Sequence, residues 1–119
     1  MAATKSNSYV LSDVTMTAGA GNVTTSGPDV SGAYGSIALI KFTNGTTGPT
    51  VAGQVDIQLS GDTTNWYSLT TVLSSLANSA VVSFPVLIPM EAKNVRFVSG
   101  SNTGQNVTLR IEVTSVTAL

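Results

Sequence analysis

The side chains that carry most enzymatic and metal chemistry are missing here, for the chain contains no histidine and no cysteine. That removes the commonest general base, the commonest transition-metal ligand, thiolate nucleophiles and disulfides. Acid–base work is left to six carboxylates, Asp13, Asp29, Asp56, Asp62, Glu91 and Glu112, scattered singly with no pair at a useful spacing. A serine nucleophile would need Lys5, Lys41 or Lys93 as its base. Lys41 sits inside an apolar run, and nothing resembling a nucleophile elbow accompanies any serine. Gly19-Ala-Gly21 is a fragment of a phosphate-cradling pattern, but neither a lysine nor an amphipathic helix follows it, so it reads as a flexible turn. The expectation is therefore no enzymatic activity, no cofactor and no metal requirement. An oxygen-only calcium site in a loop would fall to Asp29 or Asp62.

The most specific local motif is Ser60-Gly-Asp-Thr-Thr-Asn-Trp-Tyr67. A carboxylate two residues after a strand end can accept backbone N–H groups across a turn, while the aromatic pair starts the returning strand. The structural expectation is a hairpin in which Trp66 or Tyr67 roofs a core, so that Trp66→Ala would cost about 3–5 kcal/mol. The functional alternative is a glycan platform, with Trp66 or Tyr67 stacking on a sugar and Asp62 or Asn65 accepting its hydroxyl hydrogen bonds. Asn22, Asn44 and Asn106 begin Asn-x-Thr triplets, which this composition produces by chance.

The elements that must position these residues read as strands. In Val51–Ser60 the residues Val51, Gly53, Val55, Ile57 and Leu59 share one face, and Ala52, Gln54, Asp56, Gln58 and Ser60 the other. Val107, Leu109, Ile111 and Val113 alternate with Thr108, Arg110, Glu112 and Thr114 in the same way. Further strands are expected over Tyr9–Thr17, Ser36–Thr43, Trp66–Thr71, Ala80–Ile88 and Asn94–Val98, with a short one at Val23–Thr25. Ser36–Thr43 is nearly continuous in apolar character and so central in its sheet. Pro85 makes its strand an edge or a bulge. Val72–Ser79 is a long loop or a single helical turn. Gly/Asn/Ser/Thr clusters punctuate the rest, and about seven or eight strands at this spacing predict one all-β domain, an antiparallel β-sandwich of jelly-roll or immunoglobulin-like type.

Composition bounds the partners. Charged residues are 9% of the chain, against about 25% in an average soluble domain. Fifteen Ser and seventeen Thr take their place. The net charge of −1 gives no field to steer nucleic acid or an anionic membrane. Residues 1–20 hold no apolar run of signal-peptide or membrane-span length, which leads to the expectation of synthesis in a cytoplasm. Residues 1–8 are polar and read as an N-terminal arm able to order on a neighbouring subunit, with the sandwich occupying 9–119. A charge-poor surface lowers the desolvation penalty of subunit contacts. The residues expected to make them are Lys5, Tyr9, Tyr34 and Met90.

The succession GQVDIQLSGDTTNWYSL, VVSFPVLIP, AKNVRFVSG and NVTLRIEV resembles the small β-sandwich proteins of tailed-phage virions, over about residues 51–119. Those chains carry a strand, an Asp-containing turn followed by Trp, and a closing pair of strands. Here Asp62-Thr63 stands where Asp-Gly is common. The resemblance implies a non-catalytic virion protein, foremost a capsid decoration (cement) protein made in the host cytoplasm. It would work as a homotrimer bound to the major capsid protein or to neighbouring virion subunits. A neck, tail or fibre role, or an adhesive carbohydrate-binding module, is the alternative. No functional residues carry over.

Overall fold

The computed structural model describes residues 3–119. Eight strands follow in order: β1 (Thr4–Met16), β2 (Val23–Asp29), β3 (Ser36–Asn44), β4 (Gln54–Ser60), β5 (Tyr67–Leu73), β6 (Val81–Ile88), β7 (Asn94–Gly100) and β8 (Val107–Ala118). They form two antiparallel four-stranded sheets, ordered β1-β8-β3-β6 and β2-β7-β4-β5. The pairings nest, β4 with β5, β3 with β6, β2 with β7 and β1 with β8. The chain is thus one long hairpin, bent at Gly61–Trp66 and rolled up, with β3–β8 and β4–β7 contacts closing the roll. That nesting is the jelly roll, one of the two sandwich types expected.

The core follows the period-2 pattern. Ala38, Ile40 and Phe42 of β3 and Val107, Leu109, Ile111 and Val113 of β8 point inward. They meet Val55 and Ile57 of β4 and Val95 and Phe97 of β7, all at most 2% exposed. The Phe42 and Phe84 rings meet edge to face at 6.2 Å. β3 is central, as its apolar run requires. β6 is an edge, with Pro85 opposite Leu39, so the missing proline N–H does not interrupt a central ladder.

Several boundaries differ from expectation. Val51 lies outside β4, half-exposed, in a single bridge to Thr103. Gly53 keeps the β4–β5 register opposite Ser74, but its N donates to Ser74 Oγ at 2.9 Å in place of a backbone carbonyl, and Ser74 N donates to Gly53 O at 2.8 Å, so the regular ladder begins at Gln54. Val72 and Leu73 finish β5, and the segment after them is a loop with no helical turn. Asn44 holds that loop, its Nδ2 donating to Ser75 O and Ala77 O at 2.8 Å each. Gly48 passes so close to it that a Cβ would sit 2.0 Å from Leu76 O.

The polar stretch expected as an arm forms the first part of β1 instead. Lys5, Ser6, Asn7 and Ser8 pair with Val116, Ser115, Thr114 and Val113 of β8; residues 1–2 lie outside the described residues. The sandwich therefore begins at Thr4. Backbone ladder bonds to β8 compensate for the absence of any apolar side chain there. Farther along, β1 bulges between Leu11 and Val14, where Asp13 takes a φ of 52° and meets Arg110 Nη1 at 2.8 Å. The bulge and its charges fall on an edge strand, where they discourage pairing with another sheet.

Candidate functional site

The Asp62 turn is built as its sequence implies. Asp62 Oδ1 accepts from Thr64 N at 2.9 Å, Asn65 N at 2.8 Å and Ser60 Oγ at 3.0 Å, and Oδ2 accepts from Asn65 Nδ2 at 2.8 Å. The backbone N–H of Asn65 and then of Thr64, with the Asn65 and Ser60 side chains, holds this carboxyl well below the usual range. Thr63 carries a φ of 62°. Asp29 serves its own turn likewise. Hydrogen bonding from Ser31, whose N–H lies 2.9 Å from Asp29 Oδ1, lowers its pKa. Both carboxylates are thus occupied locally, and among the described residues no three acidic groups converge as a metal site would require.

Neither aromatic residue of this motif roofs the core. Tyr67 is 72% exposed and lines a hollow at one end of the sandwich with Leu59, Glu91, Ala92 and Lys93. Trp66 lies over the outer face of the second sheet, with the Arg96 guanidinium 4.3 Å from its ring centroid and its Nε1 donating to Thr63 O at 3.2 Å. The four residues expected to share a glycan platform are therefore split. Asp62 and Asn65 bind each other, Tyr67 faces a different hollow, and Trp66 alone joins a polar surface.

That surface is a continuous network across β5, β4 and β7. Asp56 Oδ1 accepts from the Ser68 hydroxyl and, at 3.1 Å, from Thr71 Oγ1; Gln58 Nε2 donates to Asp56 Oδ2 at 2.7 Å; Arg96 Nε donates to Gln58 Oε1 at 2.6 Å. Partial burial raises the Asp56 carboxyl. Its hydrogen bonds from Ser68, Gln58 and Thr71 and the Arg96 charge outweigh that and leave it below the ordinary value. The alternation of Gln54, Asp56 and Gln58 marked a wet face in the sequence. The neighbouring strand that brings Arg96 beside them is set by tertiary pairing.

The opposite outer face, on the first sheet, is different in kind. Three of the four expected contact residues, Lys5, Tyr34 and Met90, line one groove of about 610 Å³ together with Ile37, Leu87 and Val116. Leu87 is 76% exposed and Tyr34 and Met90 more than half. The strand alternation carries this apolar character onward as far as Leu39 and Pro85, where the outward-facing Lys41 and Ser83 end it. Tyr9 stands apart from the groove, its ring 4.9 Å from the Arg110 guanidinium in a charged stripe with Asp13 and Glu112. Nothing in the sequence marks Leu87 as a surface residue, because an apolar residue in an apolar strand reads as core.

No protein-family model and no curated protein matches the chain. Among solved structures, a chain from Bacillus endospore appendages, described as disulfide-linked pili, superposes with a TM-score of 0.55 at 17% identity, covering 100% of this chain and 93% of that one. The likeness is one of fold. This chain has no cysteine with which to form a disulfide. A structure of infectious bursal disease virus, Gx strain, gives 0.49 at 13% identity over 94% of this chain and 31% of that one. A family 29 carbohydrate-binding module from Piromyces equi gives 0.46 at 13% identity over 94% and 91%.

Proposed function

We propose that this protein is a non-enzymatic structural subunit that works by packing against other subunits, specifically as a decoration protein of a phage capsid. The observation that carries the reading is the apolar outer face of the first sheet, where Tyr34, Ile37, Leu87 and Met90 frame an open groove. A monomer gains nothing by leaving Leu87 76% exposed, whereas a neighbour's surface would remove it from water. The low charge of the chain keeps the polar desolvation of such a contact small. The resemblance to small phage-virion sandwiches supports the capsid as the assembly, and with it the proposal of a trimer, which would suit the local three-fold positions of an icosahedral shell.

The test is copy number. Purified particles should carry the protein in many copies over the whole shell, and Leu87→Asp should fold normally yet fail to bind particles stripped of it. Absence from purified capsids, or a few copies at a single vertex, would overturn the reading.

A further inference from the structure

Arg96 is held from two sides and makes no direct ion pair among the described residues; Asp56, which feels its charge, is joined to it only through Gln58. The Arg96 Nε is fixed on Gln58 Oε1 at 2.6 Å, and its Cζ lies over the Trp66 ring, 4.3 Å from the centroid. Gln58 is fixed in turn by Asp56, and Asp56 by Ser68 and Thr71. Among the described residues, the Arg96 Nη groups take no acceptor and no carboxylate lies within salt-bridge distance. A guanidinium oriented through Nε with both Nη groups free is half of a bidentate pair awaiting a carboxylate.

The space beside it is a groove of about 340 Å³ walled by Thr24, Ser26, Gly27, Trp66, Asn94 and Arg96. That volume lies in the ~300–1,000 Å³ range of small-molecule sites. β2 reaches it because residue 27 is glycine. A Cβ there would fall 2.7 Å from Val95 Cγ1 and 2.9 Å from Val95 O, and the β2–β7 register shifts just beyond Ser26. Hydroxyls, an amide and an indole wall suit a ring rich in hydroxyls; the free fork suits an acid. One cation in a chain of net charge −1 does not make a nucleic-acid track. We propose that this groove binds a sugar ring bearing a carboxylate, with Arg96 as the carboxylate clamp and Trp66 as the apolar wall. The site is separate from the apolar face of the first sheet and does not depend on the capsid reading.

Trp66 is the only tryptophan in the chain, so its fluorescence reports on this groove alone. The intact protein is titrated at fixed ionic strength with sodium glucuronate and N-acetylneuraminate, and in parallel with glucose and sodium acetate. A saturable change with an acidic sugar is expected, weakened about tenfold or more in Arg96→Gln through loss of the charged hydrogen bonds. Ser26→Glu, which sets a carboxylate directly across from Arg96 in the β2–β7 register and so competes with the ligand for its Nη groups, should weaken it similarly. Should Arg96→Gln fold poorly, Ser26→Glu decides. No saturable response to either acidic sugar, or an equal response to glucose or acetate, would overturn the proposal.

Discussion

The side-chain amide of Asn102 donates to Met16 O at 2.9 Å and to Gln105 O at 3.0 Å from a position only 1% exposed. One buried amide therefore ties the end of β1 to the loop that leads from β7 into β8, beside the last β1–β8 pair, Met16 opposite Val107. Asn102→Ala leaves two carbonyls without this donor, and leaving a buried polar group unpaired costs about 1–3 kcal/mol. Denaturant unfolding should show a loss in that range with an unchanged m-value. Wild-type stability in the variant would mean that water replaces the amide at no cost.

Inside and outside of the sandwich should differ sharply. Ile57 is 0% exposed between the sheets, whereas Leu87 is 76% exposed on the outer face. Ile57→Ala should cost about 2–5 kcal/mol through lost burial and the cavity left behind, and Leu87→Ala should stay within about 0.5 kcal/mol. Comparable losses at both positions would show that Leu87 is already covered in solution, and a concentration-dependent melt would identify a second copy as the cover.

Strand existence was legible in the sequence wherever a strand buries one face, as in Gln54–Ser60 and Val107–Thr114, because burial imposes the period of two. It was illegible in Thr4–Ser8, which has no apolar residue and is held by its pairing to β8, with Thr114 Oγ1 donating to Asn7 Oδ1 at 3.1 Å. Gly27 and Pro28 hid the second half of β2 for a related reason, since an edge strand tolerates both. The convergence of Lys5, Tyr34 and Met90 depends on which strand ends the roll brings together, and nothing local in the chain records that. The same holds for Trp66, whose place was decided by Arg96 across the sheet and not by the core its hydrophobicity implied.

The cost of removing Trp66 falls accordingly. Its ring stacks on a guanidinium at the surface, an interaction worth about 0.5–1 kcal/mol at exposed sites. Trp66→Ala should therefore lower stability by about 1–2 kcal/mol, counting some lost apolar contact, and not by the 3–5 kcal/mol of a core aromatic. Thermal and urea unfolding monitored by circular dichroism measure this directly. A loss of the larger size would return the indole to the core.

Acid should act on the hairpin apex through Asp62. The hydrogen-bonded carboxylate has a folded pKa below its ordinary value of 3.8. Its contribution is thus fully present above that value and is lost as pH falls toward the folded one. Asp29 and Asp56 are shifted in the same direction. The melting temperature should decline from about pH 5 downward, and Asp62→Asn should be less stable at pH 7 with a shallower decline in acid. An identical slope in Asp62→Asn would remove Asp62 from the acid response, and carboxyl-carbon NMR titration would locate the group responsible.

Truncation separates the two readings of the N-terminal stretch. A free arm could be removed without disturbing the fold, and deleting residues 2–8 would then leave the melting temperature within a few degrees. The structure makes Thr4–Ser8 the outer partner of β8, with Lys5 opposite Val116 and Ser8 opposite Val113. Deletion strips ladder bonds from the end of β8, each worth about 0.5–1.5 kcal/mol net, and turns that end into a new sheet edge. The expected loss is about 1–3 kcal/mol, or a fall of about 5–10 °C for a domain of this size. Lys5→Ala, which keeps the backbone pairing, should change stability by less than about 0.5 kcal/mol. If the stretch also contributes to assembly, particle binding by Lys5→Ala should weaken at unchanged melting temperature, because Lys5 lines the groove shared with Tyr34 and Met90. A deletion variant that melts with the wild type would show that the pairing seen along Thr4–Ser8 adds nothing to the isolated domain, and would restore the arm.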